Sequence, residues 1–354
     1  MKIAARKILV LRYRFIGDTV LTVPFLRSLR AAFPSAHIDL MIEPFSGSVL
    51  EGCPYIDRII PFEMRTIHQY SSRSDQGKIA GYLRMRKRIR EERYDAAFVL
   101  KRSFSSALLV WAAGIRRRIG FATEGRSMLL TDPVPYRHDQ HEVENFLDCL
   151  RAVDVSISSK HLELWPSTEA DTAVHRMFGA QGWKSDDLKI IIHAAASLQA
   201  KQWPLERFGA VMKSLQERYG ARFIYTGAAG DAPLYEGIEA YGPFRGLNLC
   251  GKSDLRSNLS VYRAADLFFG VDSGPMHMAA AVGVPVVALF GPTDERKWGP
   301  WGDGHSVLTK RLSCYPCKPH KCADNECMKQ ISADDALAAV EKKIHELCRA
   351  GQAT

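Results

Sequence analysis

Three short stretches hold residue types that could do chemistry together. The first is Asp272-Ser273-Gly274-Pro275-Met276-His277, placed after the apolar run 266–271. A turn that opens into a helix leaves backbone N–H groups unpaired and presents the positive end of a helix dipole. Such a place suits a phosphate or diphosphate, and Pro275 suits the first helical position. The same spacing also serves an ordinary buried βαβ unit. His277 lies one turn into the helix, either as a satisfied structural residue or as a group close to that diphosphate. The second stretch is Ile16-Gly17-Asp18, with Arg12 just before it. Asp18 falls at a helix start beyond the first strand, where open α/β sheets bind ligands. It can face a ligand or simply cap the helix, and Gly17 permits an unusual backbone angle or a close approach. The third is the small-residue loop Ala194-Ala195-Ala196-Ser197 followed by Lys201-Gln202-Trp203-Pro204. Small residues let a ligand approach the backbone, and Lys201 could neutralise a departing diphosphate or be a solvated loop lysine. A further junction, Tyr225 to Asp231, contains Gly227. Asp231 there could take ribose hydroxyls or cap the next helix.

These groups need strands to carry them and helices to space the strands. Apolar runs and turn residues predict strands at 7–13, 36–42, 58–61, 94–100 and 117–121. Helices are expected at 19–33, 78–93, 104–113 and 141–153, with a short helical turn at 48–53 and a polar, mobile loop at 63–77. After Leu164-Trp165-Pro166-Ser167 a second alternation starts. Its strands are expected at 189–194, 222–226, 247–249, 266–271 and 285–290. Its helices are expected at 168–181, 205–219, 232–241, 255–264 and 276–282. Alternation twice over implies two doubly wound α/β domains facing each other. The expected limits are 1–165 and 166–332, with a last helix from Ala333 packing back on the first domain. No internal repeat is evident.

With 354 residues, 46% apolar and 25% charged, the chain suits two ordinary globular cores. No apolar run approaches the roughly 18 residues of a membrane span, and the N-terminus reads as a strand instead of a signal peptide. Residues 1–165 carry 26 lysines and arginines against 18 acidic residues, and the remainder carries 22 against 21. The first half should therefore meet something anionic. The helix at 78–93, with Arg84, Arg86, Lys87, Arg88, Arg90 and Arg93, could lie on anionic headgroups or be a solvated face. It has almost no interleaved aromatic residues, which argues against single-stranded nucleic acid. Eight cysteines without an export signal point to a reducing compartment. Walker A, Gly-x-Gly-x-x-Gly, Gly-x-Ser-x-Gly and Asp-x-Asp motifs are all absent.

Arg12-x-x-x-Ile16-Gly17-Asp18, Lys201-x-Trp203-Pro204 and Asp272-Ser273-Gly274-Pro275-Met276-His277 occur in this order. Ala279-Ala280-Ala281-x-Gly283-x-Pro285 and Phe290-Gly291-Pro292-Thr293 follow. Together they resemble glycosyltransferase family 9, the family of the ADP-heptose:lipopolysaccharide heptosyltransferases. The resemblance implies a GT-B architecture and metal-independent, inverting transfer of heptose from ADP-heptose to an anionic lipopolysaccharide inner-core acceptor. By it, Asp18 is the general base and Lys201 stabilises the leaving diphosphate. Ser197 contacts phosphate, Asp272 meets the donor sugar, and the backbone from Gly274 to His277 meets the diphosphate. The loop before Lys201 departs from the family's usual Thr- and Arg-containing form. The first domain is expected to bind acceptor through Arg12, Lys101, Arg102 and Ser103. The second holds the donor, with Gly227, Asp231 and Ser273 beside the residues above. A cytoplasmic enzyme at the inner membrane, with no cofactor and no nucleic-acid partner, is the resulting expectation. Rival readings are a nucleotide-sugar 2-epimerase of similar shape and a non-catalytic glycan binder.

Cys314, Cys317, Cys322 and Cys327, with His320 among them, contain a single Cys-x-x-Cys and do not match a zinc ribbon. Reduced thiols are expected there, with no bound metal.

Overall fold

The computed structural model describes residues 5–12, 15–62, 75–244, 246–317, 322 and 324–351. Contacts divide the chain into two units, after His161. Each unit is a six-stranded parallel sheet wrapped by helices.

In the first unit the strands are β1 (Lys7–Leu11), β2 (His37–Ile42), β3 (Arg58–Pro61), β4 (Ala96–Val99), β5 (Arg117–Phe121) and β6 (Asp132–Val134). Their order is β3-β2-β1-β4-β5-β6. Both faces are covered, which is why Ile8, Leu9, Val10 and Leu11 run as consecutive buried apolar residues. One covering helix, Glu142–Arg151, buries Val143, Phe146, Leu147 and Leu150, leaves Glu144 and Asp148 half-buried and exposes Arg151. In the second unit the strands are β7 (Lys189–His193), β8 (Arg222–Tyr225), β9 (Gly246–Asn248), β10 (Leu267–Val271), β11 (Val286–Phe290) and β12 (Ser306–Thr309), ordered β12-β11-β10-β7-β8-β9.

Both sheets therefore have the doubly wound topology, with the strand order reversing beside the first strand of each half. The switch points lie between β1 and β4 and between β7 and β10. Connections leave on opposite faces there and open a crevice at the carboxyl ends of the strands. At the second switch point Gly270 pairs with His193. A Cβ on Gly270 would sit 2.4 Å from the His193 carbonyl oxygen, so only glycine lets these strands lie this close.

Several expectations are corrected. The helix foreseen over 19–33 is two, Ile16–Val20 and Val23–Ala32. The Thr22 hydroxyl bonds back to the Asp18 carbonyl and Pro24 starts the second helix. The unusual backbone angle falls on Phe15 (φ 70°), not Gly17. Strands β6 and β12 were not foreseen. Both are short edge strands, and β6 contains a proline that an interior strand would not tolerate. The last helix, Ala333–Gly351, does not wait on the first domain for burial. Its Ala336, Val340 and Ile344 enter the core of the second unit beside Leu215 and Val287, because its apolar stripe matches the helix Leu205–Tyr219 and the sheet behind it. The loop foreseen as mobile over 63–77 gives way to helix from Asp75, and its residues 63–74 lie outside the described residues, as does His320. No helix among the described residues is long and apolar enough to cross a membrane.

Candidate active site

In the first unit the polar groups gather at the carboxyl edge. Arg12 follows β1 directly and its backbone N–H bonds the Met41 carbonyl at the end of β2 (2.9 Å). Its guanidinium lies over the Phe146 ring, 5.1 Å from the centroid, and pairs with the Asp18 carboxylate. Arg12 Nε is buried and has no acceptor among the described residues. Asp18 is the third residue of its helix. The cap position is Phe15, and no side chain caps that helix. The capping role is thus excluded, and the carboxylate points its chemistry elsewhere. With 12% of its side chain exposed, Asp18 has its carboxyl lifted to about 6, first by burial. Arg12 opposes the rise, Glu142 adds to it, and Arg102 and Lys101 pull it down.

Glu142 was not foreseen as a site residue. It is buried, accepts a 2.6 Å hydrogen bond from the Tyr136 hydroxyl, and stands one turn before Phe146 on the same helix. The Arg102 guanidinium covers the Tyr136 ring at 4.2 Å. Lys101 and Arg102, beyond β4, therefore join the Asp18 group across the switch point. Ser103 does not join in the same way. Its hydroxyl is shared with Ser106 (2.5 Å), while its carbonyl and that of Lys101 accept from the buried Arg126.

In the second unit the loops after β7 and β10 meet. Lys201 Nζ lies 2.7 Å from Asp272 Oδ2, both side chains being nearly buried. The Thr293 hydroxyl, from the loop after β11, donates to the same oxygen. Thr293 belongs to the last of the sequence motifs, but no role was assigned to it. Lys201 is held from below. Trp203 is buried and donates Nε1–H to the Ile331 carbonyl (3.0 Å), and Asn325 Nδ2 donates to the Gln202 carbonyl (3.0 Å). A cavity of about 250 Å³ opens beside this loop, walled by Gln199, Trp203, Leu234, Cys322 and Asn325 among others.

The helix Gly274–Ala281 starts at Ser273, which is extended and whose buried hydroxyl has no partner among the described residues. Pro275 occupies the first turn, leaving the following N–H groups for a ligand. Met276 and His277 are buried, so only their backbone could reach an anion. Ser197 is exposed in its loop and takes no part in the Lys201–Asp272 contact. Asp231 neither caps the next helix nor stands free. Its carboxylate accepts from Ala228 N–H (2.7 Å) and ties the loop after β8. Gly227 makes room for it, since a Cβ there would lie 2.7 Å from Asp231 Oδ2. His193 is buried against Phe268 with Nδ1 2.9 Å from the Thr226 carbonyl, and burial lowers it to about 4.

Cys314 is exposed, Cys317 and Cys322 half-buried and Cys327 buried, all as free thiols. Burial and then the neighbouring sulfurs raise Cys317. Among the described residues no group of three or more His, Cys, Asp and Glu could hold a metal ion.

Residues 82–328 match the family model described as glycosyltransferase family 9 (heptosyltransferase). The chain is 28% identical over 348 residues to lipopolysaccharide heptosyltransferase 3 of Escherichia coli, covering 94% of this chain and 96% of that protein. It is 28% identical over 302 residues to lipopolysaccharide heptosyltransferase 2 of Salmonella typhimurium, covering 81% and 83%. Its fold is that of a family 9 glycosyl transferase from Veillonella parvula (TM-score 0.86, 23% identity, 98% and 99% covered). It is also that of ADP-heptose lps heptosyltransferase II of E. coli (TM-score 0.77, 24% identity, 96% and 99% covered).

Proposed function

The chain belongs to glycosyltransferase family 9, and from that premise we propose that it moves a heptose from ADP-heptose to a lipopolysaccharide inner-core acceptor, with inversion and without a metal. As a member of this family it is a glycosyltransferase of GT-B fold. The observation that carries the finer reading is Asp18. It is a nearly buried carboxyl with no capping duty, raised to about 6 at a topological switch point. A group so placed can take the proton from an acceptor hydroxyl at neutral pH. The acceptor oxygen then bonds to the anomeric carbon as the bond to the diphosphate breaks on the opposite face, and the electron pair leaves with the diphosphate.

The second unit serves the leaving group. Lys201 and the N–H groups after Ser273 neutralise the charge that develops on the diphosphate. Asp272, held by Lys201 and Thr293 through one oxygen, keeps the other for a donor sugar hydroxyl. The first unit serves the acceptor. Buried Arg12 Nε–H and the basic groups Lys101 and Arg102 suit an anionic saccharide. An acceptor of this kind implies work at the cytoplasmic face of the inner membrane.

Asp18→Asn tests the reading. Turnover should fall by roughly 10²- to 10⁴-fold, while ADP binding measured by calorimetry stays as in the wild type. Near-normal turnover would remove Asp18 from the mechanism. Product formed from ADP-heptose without acceptor would instead favour an epimerase.

A further inference from the structure

We infer that the loop after β5 is a brace that sets Lys101 and Arg102 at Asp18, with Thr123, Glu124 and Arg126 as positioning residues for the reaction. Lys101-Arg102-Ser103 follows β4 and carries two cations on long side chains. A free loop would lose entropy in holding such charges in one place. Here its main chain is held residue by residue from the loop after the neighbouring strand. The Lys101 carbonyl accepts from Arg126 Nη1, and the Arg102 carbonyl accepts from the Thr123 hydroxyl (3.1 Å). The Ser103 carbonyl also accepts from Arg126 Nη1 (3.2 Å), and the Phe104 N–H donates to Glu124 Oε2 (3.0 Å). Every residue from Lys101 to Phe104 is thereby tied to the loop after β5.

The side chains of the brace are placed for this work. Arg126 is fully buried, and its Nε also donates to a main-chain carbonyl, that of Phe121 (2.6 Å). What it gives the site is geometry, since a buried guanidinium offers a ligand no accessible charge. Glu124 has φ 51°, a left-handed angle that glycine takes without strain and glutamate does not. That angle accompanies its bond to Phe104. The helix Phe104–Ala112 has no cap from its own Ser103, and the Glu124 carboxylate stands at its N-terminus instead. Arg102 is held on a second side, since its guanidinium covers Tyr136 and Tyr136 packs edge-on against Phe121 of β5 (5.2 Å). The groups facing Asp18 are Arg12 after β1, Lys101 and Arg102 after β4, Glu142 on its helix, and Tyr136. Lys101 and Arg102 favour the ionised carboxylate, while burial and Glu142 oppose it. Loosening the brace lets both cations swing into water, so Asp18 should hold its proton more tightly. The role so assigned rests on the functional reading above, in which Asp18 is the base and this edge meets the acceptor.

The test compares two double variants of the full chain. Thr123→Val with Glu124→Ala removes two bonds of the brace. Thr123→Ser with Glu124→Gln keeps an oxygen at each place while losing the same charge, so the comparison isolates the bonds. In the first variant KM for the acceptor should rise about tenfold. The acid limb of kcat/KM should move to higher pH by about 0.5–1 pH unit, and KM for ADP-heptose should stay as in the wild type. The second variant should restore both values. Thermal unfolding checks that each is folded, and Thr123→Val alone carries the same expectation if the first double variant is not. An unmoved acid limb and acceptor KM would overturn the brace. So would a donor KM that rises as far as the acceptor KM, which would mark a general loosening of the fold. The Asp18 carboxyl is also titrated directly, by isotope-edited NMR of aspartate-labelled protein with Asp18→Asn to assign its signal. If the wild type transfers no sugar to any acceptor, the functional reading fails and this titration decides alone. A titration raised above that of the wild type keeps the brace, and an unmoved one overturns it.

Discussion

Asp18 holds its proton well above the range of an ordinary aspartate because burial outweighs the guanidinium beside it. As pH falls through about 6 the carboxylate is lost, and a base that must be ionised stops working. The acid limb of kcat/KM should therefore lie near pH 6. Glu142 contributes to the rise, so Glu142→Gln should move that limb to lower pH while keeping an oxygen to accept from Tyr136. A limb that stays fixed in this variant would show that Glu142 only supports the fold. Asp18, Lys201 and Asp272 stand out in the sequence as charged residues in loops that follow apolar strands. Spacing alone left Asp18 as a cap and Lys201 as a loop lysine, and their roles came only from the family resemblance. Glu142 and Tyr136 do not stand out. Glu142 reads as a first-turn acid of an amphipathic helix, and Tyr136 sits in irregular chain. What brings them to Asp18 is the order of strands in the sheet, which local spacing does not encode.

At the scale of elements, ten of the twelve strands were legible, the eight central ones from their apolar runs, since both faces of a parallel sheet are buried. Two of the four edge strands, β6 and β12, were missed, since pairing on one side demands little of a sequence. The helix break at Leu21-Thr22 was missed because its cause is a local side-chain bond and a proline inside an otherwise helical pattern. The contact between β7 and β10 is the element on which the donor half depends, since their loops carry Lys201 and Asp272. Gly270→Ala should force these strands apart at a backbone oxygen and cost about 1–3 kcal/mol. Chemical denaturation would measure the loss, and a weakened affinity for ADP should accompany it. An unchanged midpoint would mean the sheet adjusts without effort.

For the whole molecule, the two units should respond oppositely to acid. Asp18 binds its proton more tightly when folded, with about 6 against 3.8. As pH rises from 4 to 6 the first unit therefore loses about 3 kcal/mol of stability through this group. His193 binds its proton less tightly when folded, about 4 against 6.5. The second unit therefore gains about 3 kcal/mol as pH rises from 4 to 6.5. Hydrogen exchange followed in core peptides from β4 and β10 across this window should show the opposed trends. Asp18→Asn should flatten the first and His193→Gln the second. Parallel trends in both peptides would show that other groups govern acid stability.

The tether between Trp203 and Ile331 also has a consequence for how the protein is made. The first unit is complete once His161 has emerged from the ribosome. The loop bearing Lys201 has no floor until Asn325 and Ile331 arrive, and its sheet has no full cover until Ile344 does. At roughly 5–20 residues per second, that is a wait on the order of 10–40 s. Through that interval the half assigned to the acceptor can be finished while the half assigned to the donor is still open.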